Sequence, residues 1–221
     1  MAVNYQNKIV TSGLVVCLDA SDKKSYPGSG TTWFDRSGNG NNGTLVGGVG
    51  FSNSNGGLFD FDGVDDYISI PINLTNMAYT VIAIARYKGL VRNARIVSSN
   101  SGNWLMGWHS GQTNKYYAEG WVSSSGGGIA ETAWICYAAT GIPLTANPSG
   151  DSWQLYRNGA LIVGPNADGS NGPNGIRLGN SGTFPSEISD CQVSFVLAYN
   201  RILTPEEIKQ NFNAIRGRFG I

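Results

Sequence analysis

Phe59-Asp60-Phe61-Asp62-Gly63-Val64-Asp65-Asp66-Tyr67-Ile68-Ser69-Ile70-Pro71 reads as strand, turn and strand. Phe59 and Phe61 alternate with Asp60 and Asp62, the period of a strand with one buried face. Asp62-Gly63 marks a tight turn, and the run from Tyr67 resumes β-prone residues. Carboxylates gathered at such a turn have two uses. They satisfy the turn's own backbone donors, or they rim a site for a hard cation.

Strand signals continue on both sides. Leu14-Val15-Val16-Cys17-Leu18 and residues 79–86, 134–139, 153–156 and 191–199 all read as strands. In the last of these, Cys191, Val193, Phe195, Leu197 and Tyr199 share one parity, with Gln192 and Ser194 opposite. Residues 81–85 are apolar throughout, which predicts a central strand. Asn158-Gly159 between two β-prone runs predicts a two-residue hairpin. One helix is expected late. Thr204-Pro205-Glu206-Glu207 supplies an N-cap, a first-turn proline and a capping-box glutamate. Ile208, Phe212 and Ile215 then form an apolar stripe, and Gly217 is the expected stop. Residues 37–43 and 123–128 have loop composition. Many short strands, Gly/Asn turns and one late helix predict an all-β antiparallel sandwich or jelly roll.

The 221 residues carry 15 acidic and 15 basic side chains and are 41% hydrophobic. This is a globular composition, and it lacks the basic stripe of a nucleic-acid binder. The polar start has no signal-peptide pattern. No apolar run approaches the ~18–20 residues that span a bilayer, so no membrane partner is expected. Cys17, Cys136 and Cys191 are odd in number and widely spaced, which predicts buried free thiols.

Four blocks resemble the concanavalin A-like lectin/glucanase superfamily in its laminin-G-like jelly-roll branch. They are Gly13-Leu14-Val15-Val16-Cys17-Leu18-Asp19-Ala20, Trp33-Phe34-Asp35-Arg36-Ser37-Gly38-Asn39-Gly40-Asn41-Asn42-Gly43-Thr44-Leu45, residues 59–70, and Ala198-Tyr199-Asn200-Arg201-Ile202-Leu203-Thr204-Pro205-Glu206-Glu207-Ile208. With Leu155-Tyr156-Arg157-Asn158-Gly159 they follow the family's order. The tail Asn211-Phe212-Asn213-Ala214-Ile215-Arg216-Gly217-Arg218-Phe219-Gly220-Ile221 is similar to endings of bacteriophage structural proteins of this branch. The resemblance implies a jelly-roll domain over residues 13–221 preceded by an arm, residues 1–12. It implies a non-enzymatic virion structural protein, a capsid decoration or fibre-type subunit, made in the host cytoplasm and carried on the particle. Its expected partners are other virion proteins, as a homo-oligomer or with capsid or tail subunits, and host-surface glycans. The alternative is a carbohydrate-binding adhesion module, and a glycoside hydrolase ranks last.

The residues give that ranking a chemical basis. Glycoside hydrolysis needs two carboxyl groups roughly 5–10 Å apart. Of the glutamates, Glu206 and Glu207 belong to the helix cap, and Glu119 and Glu131 stand apart. His109 is the only histidine, and no nucleophile elbow accompanies it. For ligand binding, the aromatic-rich stretch 103–121 offers Trp104, Trp108, His109, Tyr117, Glu119 and Trp121. Trp104 and Trp108 share strand parity, as do Tyr117 and Trp121, so one set can line a concave sugar-binding face; the same aromatics serve equally as half-buried sandwich core or as an interface with other virion subunits. No cofactor is required, and calcium is the candidate ion. Asp35, Asn39, Asn41, Asp62, Asp65 and Asp66 offer the oxygen ligands it takes, and the same residues serve equally as turn caps.

Overall fold

The computed structural model describes residues 8–89, 93–123, 127–129, 131–143, 152–166 and 168–221. The strands in chain order are β1 (Leu14–Asp19), β2 (Thr32–Trp33), β3 (Gly43–Val46), β4 (Gly50–Ser52), β5 (Leu58–Asp62), β6 (Tyr67–Asn73), β7 (Tyr79–Tyr87), β8 (Val97–Ser98) and β9 (Trp104–His109). They continue as β10 (Gln112–Ala118), β11 (Trp121–Ser123), β12 (Gly127–Ile129), β13 (Ile135–Gly141), β14 (Trp153–Arg157), β15 (Ala160–Asn166), β16 (Asn174–Leu178) and β17 (Asp190–Tyr199). Helix α1 (Pro205–Ile215) follows.

The strands form two antiparallel sheets. One runs β15-β14-β13-β7-β17-β5-β4, with β1 also on β17. The other runs β11-β10-β9-β8-β16-β6-β3-β2, with β12 on β10. The expected all-β sandwich with one late helix is what forms. The opening stretch makes its corner. β5 lies in the first sheet and β6 in the second, so the turn after Asp62 carries the chain across the sandwich. Phe59 and Phe61 enter the core, while Asp60 and Asp62 face outward.

Two apolar layers result. The inter-sheet core holds Trp33, Phe59, Phe61, Ile68, Val81, Trp104, Trp108, Tyr116 and Trp153. A second cluster on the outer face of the first sheet gathers Ile82, Ile84, Phe195, Leu197 and Tyr199 under Ile208, Phe212 and Ile215 of α1. The central strand expected at residues 81–85 therefore has both faces covered, which explains its unbroken apolar run.

Three sequence readings need correction. The single face read for residues 191–199 is broken by a bulge between Val193 and Phe195. Cys191 and Val193 face the inter-sheet core, whereas Phe195, Leu197 and Tyr199 face α1. Gly217 does not stop the helix, since it sits inside a 3-10 turn (Arg216–Arg218) that extends it. The loop expected at 123–128 is in part β structure: Ser123 ends β11 and Gly127 opens β12, while residues 124–126 lie outside the described residues. The three thiols are free and buried, and burial pushes the Cys136 thiol up to about 12.

Of the expected N-terminal arm, residues 1–7 lie outside the described residues. Residues 8–12 are fastened to α1 and β17. Val10 N donates to Asn211 Oδ1 at 2.8 Å, and Tyr199 Oη donates to Val10 O at 2.9 Å.

Candidate functional site

The two aromatic sets separate cleanly. Trp104 and Trp108 point into the inter-sheet core and are fully buried, so they are removed from the ligand-facing candidates. Their burial follows from pairing: β9 lies between β8 and β10, and its inward side chains meet the first sheet. Trp108 stands edge-on to Tyr137 at 4.6 Å between centroids. Tyr117 and Trp121 have the opposite parity and reach the outer face of the second sheet.

There they assemble a small aromatic platform. Tyr117 pairs with Trp121 across β10 and β11, and their rings meet edge-on at 5.1 Å. His109, at the end of β9, approaches the Trp121 ring at 5.8 Å. Lys115 Nζ lies 5.7 Å from the same ring. Trp121 stays 40% exposed, so one side of a large apolar ring faces solvent while its neighbours hold it in place. Glu119 occupies the turn between β10 and β11 with positive φ (54°). Its Oε1 accepts from Asn103 N at 2.5 Å, which gives this carboxylate a structural task.

The platform continues into a charged cluster. Glu187 Oε1 lies 3.6 Å from His109 Nε2, and Glu187 also pairs with buried Arg95. The Arg95 guanidinium stacks over Phe184 at 4.9 Å and donates to Asn103 Oδ1 at 2.8 Å. Burial, then the positive charges of Arg95 and Lys115, hold the His109 imidazole below the ordinary histidine range against the opposing pull of Glu187. A surface cavity of about 340 Å³ is lined by Gly63, Asn93, Ala94, Ser110, Ser186 and Ile188. Ser110 and Ser186 adjoin His109 and Glu187 in the chain. Arg95, Phe184 and Glu187 reach this face from segments distant in sequence, and no local pattern marks them.

The two aspartate loops also part company. Asp35 is saturated as a cap. Its Oδ1 accepts from Cys17 N and Ser37 N at 2.8 and 2.9 Å. Its Oδ2 accepts from Ser37 Oγ and Asn41 N at 2.7 and 3.0 Å. Asn39 and Asn41 turn their amide groups to the Leu14 and Val15 carbonyls. These three residues hold a loop to β1, and they leave the candidate ion ligands for that reason. Asp62, Asp65 and Asp66 instead converge, with one carboxylate oxygen from each within 4.8 Å of the others. Asp62 Oδ1 caps Val64 N at 2.7 Å, and Asp66 Oδ2 accepts from Asp62 N at 3.0 Å. Burial, then the neighbouring carboxylates of Asp62, Asp65 and Asp60, raise the Asp66 carboxyl above the ordinary aspartate value, against the opposing backbone bond from Asp62.

No family model matches the sequence, and comparison with curated proteins gives no match. Solved structures do match by fold. The binding domain of Paraclostridial Mosquitocidal Protein 1 aligns with TM-score 0.66 at 17% identity, over 94% of this chain and 53% of that one. Trypanosoma rangeli sialidase in complex with sialic acid gives 0.64 at 17% identity, over 95% of this chain and 34% of that one. Domain 4 of AbnA, a GH43 extracellular arabinanase from Geobacillus stearothermophilus, in complex with arabinotriose, gives 0.62 at 16% identity, over 90% of this chain and 97% of that domain. The chain thus spans about half of the toxin binding domain and a third of the sialidase, yet nearly all of the arabinanase domain. What is shared at these identities is the fold, a two-sheet antiparallel β-sandwich.

Proposed function

We propose that this chain is a non-enzymatic carbohydrate-binding module whose glycan stacks on Trp121. The observation that carries the reading is the exposed Trp121 ring, propped by Tyr117 and His109 on the outer face of the second sheet. An aromatic face beside fixed polar groups suits the apolar side of a sugar ring and its hydroxyls. The similarity to a sandwich solved with arabinotriose and to one within a sialic-acid complex supports the class. The non-enzymatic part rests on the carboxylates: Glu119 is engaged by backbone and Glu131 is paired with Arg157.

The test is a glycan array seeded with arabino-oligosaccharides and sialylated glycans, followed by titration of the best hit. Trp121→Ala should weaken binding about tenfold or more, which corresponds to ~1.4 kcal/mol, and should leave the melting temperature unchanged. Equal affinity of the variant, or no retained glycan, sinks the reading.

A virion-subunit role is the second reading, favoured by one observation. Leu161 and Ile162, adjacent on edge strand β15, are 46% and 40% exposed, and an open edge with apolar side chains invites a partner chain. A stable oligomer, or binding to particles without any glycan signal, would favour it.

A further inference from the structure

We propose that Asp62, Asp65 and Asp66 form a calcium site at the corner where the chain crosses from β5 to β6. Two independent observations lead there. The first is convergence: one carboxylate oxygen from each residue lies within 4.8 Å of the other two. Ligand oxygens 2.3–2.6 Å from one calcium ion lie at most about 5 Å apart, so the spacing fits a single ion. The second is an orphan acceptor. Asp66 is only 3% exposed, and its Oδ1 is buried without a hydrogen-bond partner. Its Oδ2 accepts from the Asp62 backbone N–H, which holds this carboxylate beside Asp62. A buried carboxylate oxygen with no donor is costly, and a divalent cation removes that cost.

The surrounding backbone is built for close approach. Gly47 has φ +90°, and a Cβ there would meet Asp65 O at 2.5 Å. Gly48 has φ +105°, and its Cβ position lies 4.0 Å from Asp66 Oδ1. Asp62 and Asp65 are exposed, which leaves the outer side open to the waters that complete a six- to eight-oxygen shell. Among the described residues, no lysine or arginine forms an ion pair with any of the three. The saturated Asp35 loop supplies the contrast, since every oxygen of its carboxylate has a protein donor.

Thermal unfolding of the full chain tests this, in calcium chloride at roughly 1–10 mM, the range that loads sites of extracellular-module affinity. Controls are a chelator and sodium chloride at matched ionic strength. A bound ion at a hundredfold excess over Kd should raise the melting temperature by roughly 5–10 °C for a domain of this size. Asp65→Asn and Asp66→Asn should each abolish the rise, while Asp22→Asn, a half-buried aspartate outside the group and paired with Arg36, should keep it. Titration calorimetry should count one ion per chain. If Asp66→Asn fails to fold, Asp65→Asn at an exposed position decides. The proposal is overturned if calcium gives no rise beyond the salt control, or if Asp65→Asn retains the full rise. Neither outcome bears on Trp121 and the glycan reading, which rest on other residues.

Discussion

At the scale of the residue, chemistry-bearing side chains divide by what their atoms touch, which residue type alone does not reveal. Asp35 and Asp66 are both aspartates beside glycine-rich turns, and sequence treats them alike. One has four protein donors and the other keeps a buried oxygen without any. The aromatic stretch has the same limit. Period two grouped Trp104 with Trp108 and Tyr117 with Trp121, but both sets are aromatic, so composition could not say which faced the core. His109 gives a pH prediction at this scale. Its folded pKa is lowered, with burial the largest cause. Between the ordinary histidine value and that lowered value, the unfolded chain binds more protons than the folded one. Stability therefore rises with pH across the window and is lost as pH falls through it. Because His109 is the only histidine, few other groups titrate there. Urea midpoints measured from about pH 7.5 to about pH 5.5 should fall for the native chain and stay flatter for His109→Gln. Parallel slopes for the two would refute the assignment.

At the scale of the element, legibility followed locality. The β14–β15 hairpin was readable because Asn158 and Gly159 both take positive φ, 50° and 74°, as their types suggest. The helix start was equally plain. Thr204 Oγ1 accepts from Glu207 N at 3.3 Å, and Glu207 Oε2 accepts from Thr204 N at 2.9 Å. Glu207 is also gripped by Arg201, which holds its carboxyl below the usual glutamate value. Thr204→Ala should cost about 1 kcal/mol, seen as a lower urea midpoint at unchanged m value, and no loss would show the cap to be redundant. The β17 bulge was not readable, because both of its faces are apolar and a skipped residue leaves no mark on composition. Its cause is a change of partner. Residues 190–193 pair with β5, and residues 195–199 pair with β1. Ser194 lies between them, its Oγ donating to Gly57 O at 2.5 Å and its carbonyl accepting from Ala20 N at 3.0 Å. The bond to Ala20 uses only the backbone, but an apolar side chain at 194 would leave the buried Gly57 carbonyl without the Oγ donor, which accounts for a serine in the middle of a core strand.

At the scale of the whole molecule, the sheets are joined by more than apolar packing. Trp104 Nε1 donates to Tyr79 Oη at 2.8 Å, Tyr79 and Tyr116 share a hydroxyl contact of 2.6 Å, and Tyr116 Oη donates to Thr140 O at 3.0 Å. The Thr140 bond fixes the direction of the chain: Tyr116 gives its proton to the carbonyl, so Tyr79 must give its own to Tyr116. The four groups come from β9, β7, β10 and β13, which alternate between the two sheets, so the chain crosses the sandwich three times. Burial raises the hydroxyl pKa of Tyr79 and of Tyr116, which keeps both protonated and the direction fixed. Removing the Tyr116 hydroxyl leaves the buried Tyr79 hydroxyl without its acceptor, although Trp104 still donates to it. Tyr116→Phe should therefore cost about 1–3 kcal/mol, a fall in melting temperature of roughly 2–12 °C, although it deletes one oxygen and leaves the ring in place. The double variant Tyr79→Phe/Tyr116→Phe should lose less than the sum of the single losses, because the second change removes a group already orphaned by the first. Strict additivity in that cycle would mean that the hydroxyls act independently and that apolar packing alone sets how the two sheets meet. Since β9 and β10 also carry Tyr117 and His109 on their outer sides, a loosened network should be felt at the Trp121 platform. Tyr116→Phe is thus expected to weaken glycan binding less than Trp121→Ala does, and the two effects separate by calorimetry on the folded proteins.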